Sequence, residues 1–218
     1  GGDPSTYIAA YGGVIVGLVA FNFGTLRFQQ WSKKPTPLQA ITEALKGSHK
    51  KSVLFSYLPH LPAEHILVTP GGVFVLLAKH VEGKVTGSGE QWKHIPLRRL
   101  AAAVNPFSQV RLGKPVAEAR AAEVAVRELV AQTLGTGEAA DVPVESIVVF
   151  TNIAAEVSLE DPAVPAVVPD GLRGCIAQRA RGRLTPGQLE KLTAALKGDF
   201  EPEGQRKRPL GRRTPARR

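Results

Sequence analysis

The chain has 218 residues, 43% of them apolar, and a formal net charge of +9. That length and apolar content suit one ordinary domain with appendages and exclude disorder throughout. The charge resembles a nucleic-acid signature until it is located: Arg206, Lys207, Arg208, Arg212, Arg213, Arg217 and Arg218 crowd the last stretch with no acid among them, leaving the remainder only mildly basic.

One cysteine, Cys175, rules out an intrachain disulfide and favours a reducing compartment. With no histidine or known motif beside it, it reads as a small apolar residue rather than a nucleophile. No methionine occurs, so the chain reads as a processed or incomplete product with sequence upstream of Gly1.

In chain order, residues 1–6 are a short lead. Residues 7–26, YIAAYGGVIVGLVAFNFGTL, carry no charge over about the length a helix needs to cross a hydrocarbon core. Arg27, Trp31, Lys33 and Lys34 follow, an interfacial aromatic and a basic cluster of the kind left on the cytoplasmic side. These features predict a transmembrane helix over 7–28 and a juxtamembrane linker over 29–37. The alternatives fit less well. Interior glycines cost about 1 kcal/mol each in a soluble helix, and a signal peptide carries its basic cluster before the apolar run. Ala9, Gly13 and Gly17 recur every fourth residue and would let a partner helix approach closely.

A domain over 38–198 follows. Thr36, Pro37 and Gly47 punctuate a first helix whose Leu38, Ile41 and Leu45 share a face. Strands are expected at 52–58, 64–69, 72–78 and 83–87. Pro70, Gly71 and Gly72 make a tight reversal, so the middle two strands are antiparallel neighbours. GVFVLLA is apolar on both faces and should be central. Residues 88–115 read as irregular. A long helix over 116–135 offers Ala119, Val124, Val126, Leu129, Val130 and Leu134 for packing. A buried strand is expected at 146–152, short edges at VSL and PAVVP, then helices at 170–181 and 185–198. This order predicts an α/β fold, a mixed sheet flanked by helices, with a basic disordered tail over 199–218.

The phrase EHILVTPGGVFVLLAKHVEGKVTG (64–87), with Trp92, NPFSQVR (105–111) and VVFTN (148–152), resembles the nuclease-related domain family, NERD, a branch of the restriction-endonuclease-like fold. The likeness covers roughly residues 38–170. A span followed by this domain is similar to membrane-anchored NERD-like proteins of filamentous anoxygenic bacteria. The resemblance implies that Glu64 stands at the first metal-binding acid and Lys79 at the catalytic lysine, with Glu43 a candidate for an early acid. It also exposes a departure, because the family's acid-x-Lys reads Leu77-Ala78-Lys79 here. Phosphodiester hydrolysis in such sites needs a hard divalent cation held by carboxylates, and a leucine offers no oxygen. Lys79 is then a remnant whose stem packs on the hairpin while its ammonium reaches solvent or pairs with Glu64. A ligand set of Glu64 with Glu82 or Glu90 is the active alternative.

His60, His65, His80 and His94 match no metal-binding spacing and read as solvated or strand-end residues. TPGGV is a turn and GSGE (87–90) a loop. In the tail, Arg206, Lys207, Arg208, Arg212 and Arg213 could meet anionic lipid or nucleic acid; no interleaved aromatics favour stacking on bases. The expectation is therefore a protein of the bacterial inner membrane with a cytoplasmic domain. It would be a non-catalytic accessory or scaffolding subunit beside other transmembrane subunits, with no cofactor and no metal; the alternative is a tethered metal-dependent nuclease or nucleic-acid-binding protein.

Overall fold

The computed structural model describes residues 35–47, 51–97 and 112–198, together with Gly17. The expected span over 7–28 therefore lies outside the described residues apart from Gly17, which is helical. Also outside are most of the linker, NPFSQVR and the basic tail. Among the described residues no helix is long and apolar enough to cross a membrane.

Helix α1 (Pro37–Ala44) starts with a capping box: Thr36 Oγ1 accepts from the Gln39 N–H at 3.2 Å and Gln39 Oε1 accepts from the Thr36 N–H at 3.0 Å. The last residues of the expected linker thus belong to the helix start. Three antiparallel strands follow, β1 (Val53–Ser56), β2 (His65–Thr69) and β3 (Gly72–Lys79). The β2–β3 reversal is the expected one, with Thr69 paired to Gly72 across Pro70 and Gly71.

Two corrections concern the next stretch. Strand β4 (Gly83–Gly89) runs on through the Gly-Ser-Gly expected to be loop, and β5 (Gln91–Ile95) occupies part of the stretch expected to be irregular. The reason is local: Trp92 donates its indole N–H to the Gly89 carbonyl at 2.9 Å and turns its ring inward toward Phe150, while Gln91, Lys93 and Ile95 face out.

Helix α2 (Pro115–Leu134), short α3 (Thr136–Ala139), β6 (Val144–Phe150), β7 (Ala155–Pro162), β8 (Ala166–Val167), α4 (Pro169–Arg179) and α5 (Pro186–Lys197) complete the described chain. Helix α5 repeats the Thr-Pro-x-Gln capping box of α1, and Gly198 closes it in the left-handed conformation.

The main sheet is five-stranded, in the order β1-β2-β3-β6-β8. It is mixed, because β3, β6 and β8 run parallel. Strand β3 is central, as its two-faced apolar sequence requires. Val73 and Val75 face Val126, Val130 and Leu134 of α2 and Leu192 and Leu196 of α5. Phe74 and Leu76 face Ile41 of α1 and Leu172 and Ile176 of α4. Val124 does not join the packed stripe; it is 52% exposed. A second, three-stranded sheet, β5-β4-β7, closes over a third cluster containing Val81, Val85, Leu112, Val116 and Phe150.

Helix α4 ends earlier than expected because the following residues dock on the β2–β3 turn. Gly182 and Leu184 donate N–H groups to the Gly71 and Pro70 carbonyls at 3.0 and 2.8 Å. Gly71 is required by this close approach, since a Cβ there would lie 2.4 Å from that of Ala180. Gly71→Ala is therefore expected to destabilise the fold by about 1–3 kcal/mol in urea titration. An unchanged midpoint would contradict this packing.

Candidate active site

Past Val75, β3 parts from β2 and continues along β6 alone, ending at Lys79 opposite Phe150. Strand alternation places Leu77 and Lys79 on the face that looks toward the start of α2. Leu77 packs into the cluster of Val81, Leu112, Val116, Val148 and Phe150. At the position where the resemblance demands a carboxylate, the chain has extended its core.

Lys79 is not released into solvent. Its side chain is 13% exposed, and Nζ donates to Glu118 Oε2 at 2.5 Å. Glu118 stands in the first turn of α2, and its other oxygen accepts the Lys114 N–H at 3.0 Å. Gly113 adopts φ +70°, a conformation suited to glycine, and a Cβ there would crowd Glu118 Oε1 at 2.6 Å. Burial works to raise the Glu118 pKa, but the hydrogen bond and charge of Lys79 and the Lys114 N–H outweigh it, so the carboxyl titrates below its ordinary value.

None of the other expected acids pairs with Lys79. Glu64 is exposed just before β2, where its carbonyl accepts the Tyr57 N–H at 2.8 Å. Tyr57 has its pKa raised by burial and, secondarily, by the nearby charge of Glu64. Glu43 belongs to α1, which covers the opposite face of the sheet, and pairs with Lys46 at 2.5 Å. Glu82 is half-buried, its carbonyl accepting from His94 Nε2 at 2.7 Å, and Glu90 pairs with Arg120 of α2. The structure thus pairs Lys79 with Glu118, a residue the sequence reading did not single out, rather than with Glu64.

The four histidines each take a different partner. His60 donates to the Leu196 carbonyl, His65 Nδ1 bonds to Ser56 Oγ at 2.8 Å, His80 Nδ1 lies 3.1 Å from Thr151 Oγ1, and His94 meets Glu82. His65 is of the expected strand-end kind, opening β2, and it is fully buried rather than solvated, with Nε2 lacking a hydrogen-bond partner. Among the described residues no three His, Cys, Asp or Glu side chains gather to hold a metal ion.

A hard divalent cation requires several oxygen ligands. The carboxylate that pairs with Lys79 has both oxygens engaged, Leu77 brings only hydrocarbon, and among the described residues no three acidic, histidine or cysteine side chains gather, so these residues do not fit such an ion.

No curated protein and no solved structure matches the chain. The family model described as nuclease-related domain, NERD, matches residues 38–151, from α1 to just past the end of β6 and including Leu77, Lys79 and Glu118. That is just over half of the chain, which therefore belongs to the NERD family.

Proposed function

We propose that this NERD-family protein no longer hydrolyses nucleic acid and acts as an accessory or scaffolding subunit of a larger bacterial membrane assembly, its domain held at the cytoplasmic face of the inner membrane. The loss of catalysis rests on one observation: Leu77 fills the acid position of the family phrase and packs among Val81, Val116 and Phe150. Membrane attachment rests on the uncharged run 7–26 and the basic cluster after it. The Ala9, Gly13 and Gly17 spacing supports a partner helix in the bilayer, and the tail arginines support contact with anionic lipid more than with nucleic acid. On this reading the chain uses no cofactor.

A second reading, a tethered metal-dependent nuclease, draws on Glu118, which brings a carboxylate from α2 to Lys79. The two separate in a plasmid-cleavage assay with Mg²⁺ or Mn²⁺ on the purified full chain. The accessory role gives no cleavage above background, and Lys79→Ala changes nothing. Cleavage that Lys79→Ala abolishes would replace that reading with the second. Attachment is tested by washing membranes with high salt and then alkaline carbonate. The chain is expected to stay in the pellet, and its release by salt alone would contradict a span.

A further inference from the structure

We infer that Glu118 is a built-in anion that occupies Lys79 and closes this corner of the domain to the phosphates of nucleic acid. The inference deepens the non-catalytic reading and rests on it.

Two donors converge on the one carboxylate, the Lys79 ammonium at 2.5 Å and the Lys114 backbone N–H at 3.0 Å. Charge-assisted donors of both kinds also bind phosphate oxygens, so an approaching phosphodiester would compete with Glu118 for them. Glu118 has large advantages in that competition. It is tethered to the same fold, and α2 is anchored on the sheet by Val116, Ala119 and Val126. Lys79 cannot swing away to another partner, because its stem is largely buried at the end of β3. The surface pair Glu90–Arg120, two residues further along α2, stands in contrast: there both side chains are more than half exposed.

The test is DNA binding by the full chain in detergent, without metal, followed by the anisotropy of a fluorescein-labelled duplex. Glu118→Gln keeps the shape of the side chain and removes its charge. It is expected to tighten binding about fivefold at low salt, and adding Lys79→Ala should cancel that gain. Glu90→Gln makes the same change in net charge and is expected to leave affinity near wild type. The tail is identical in all four proteins. An unchanged affinity in Glu118→Gln would overturn the inference, as would a gain that survives Lys79→Ala or is matched by Glu90→Gln. If near-ultraviolet circular dichroism shows Glu118→Gln to be unfolded, Glu118→Ala takes its place under the same criteria. Adding Mg²⁺ to the same mixtures keeps the two conclusions separate. Cleavage by the wild-type chain would sink the non-catalytic reading, whereas absent cleavage with unchanged binding would sink only the occupancy by Glu118.

Discussion

Acidification from pH 7.5 to 5 should cost the fold about 2 kcal/mol through His65 alone. His65 is 0% exposed, bonded through Nδ1 to Ser56, stacked edge-on to Tyr57 at 4.8 Å, and without a partner at Nε2. Burial pushes its pKa from 6.5 down to about 4. The sign follows from proton counts. Between those values the unfolded chain holds a proton that the folded chain refuses. The stabilising contribution is thus complete above about pH 6.5, shrinks as pH falls, and is exhausted below about pH 4. Carboxylates titrate over the same range, so the contrast with His65→Phe isolates the effect. That variant loses the Ser56 bond by a fixed amount at every pH. Urea titrations at both pH values should show the wild type losing about 2 kcal/mol more than the variant. Parallel losses would mean that the ring is not held neutral.

Phe74→Ala should be more damaging, at about 3–5 kcal/mol. Phe74 is 1% exposed on the central strand and touches the cluster of Ile41, Leu67, Leu76, Ile147, Leu172 and Ile176, so its loss opens a cavity between the sheet and two helices. Strand β3 also carries Leu77 and Lys79, which makes this core the support of the site. A loss under about 1 kcal/mol would place Phe74 outside the main core and contradict the assignment of β3 as the central strand.

The parts of the fold readable from sequence are those whose signals are local. Helices α1 and α5 each begin with Thr-Pro-x-Gln, and both form the capping box that this spacing allows. The β2–β3 hairpin is announced by apolar runs on either side of Pro70 and Gly71. Strand β5 was hidden because only Trp92 among its residues advertises an inward face, and its exposed positions carry polar residues as well as Ile95. Strand β7 was foreshortened for the same reason: Glu156, Ser158 and Glu160 face out and dilute its apolar signal. The long helix misled at one position. At 100° per residue Val124 sits roughly 160° around the axis from Val126, so both cannot face the sheet, and Val126 is the buried one.

The site divides in the same way. The substitution at Leu77 is visible in the order of residues along one strand. The partner of Lys79 is not, because Glu118 lies 39 positions away and meets it only when α2 packs across the sheet. An acid in the first turn of a helix is ordinarily explained by the positive end of the helix dipole. Nothing in the local sequence marks Glu118 as serving a strand lysine instead.

Binding of Mn²⁺ to the full chain, read by the electron paramagnetic resonance of the free ion, tests directly whether a divalent-ion centre survives at the end of β3. With hydrocarbon at Leu77 and Glu118 engaged by Lys79 and Lys114, the signal should fall no further than in a chain carrying Lys79→Ala. Uptake of one Mn²⁺ per chain that disappears in Glu64→Ala or Glu118→Ala would contradict the account and restore a metal centre to this domain.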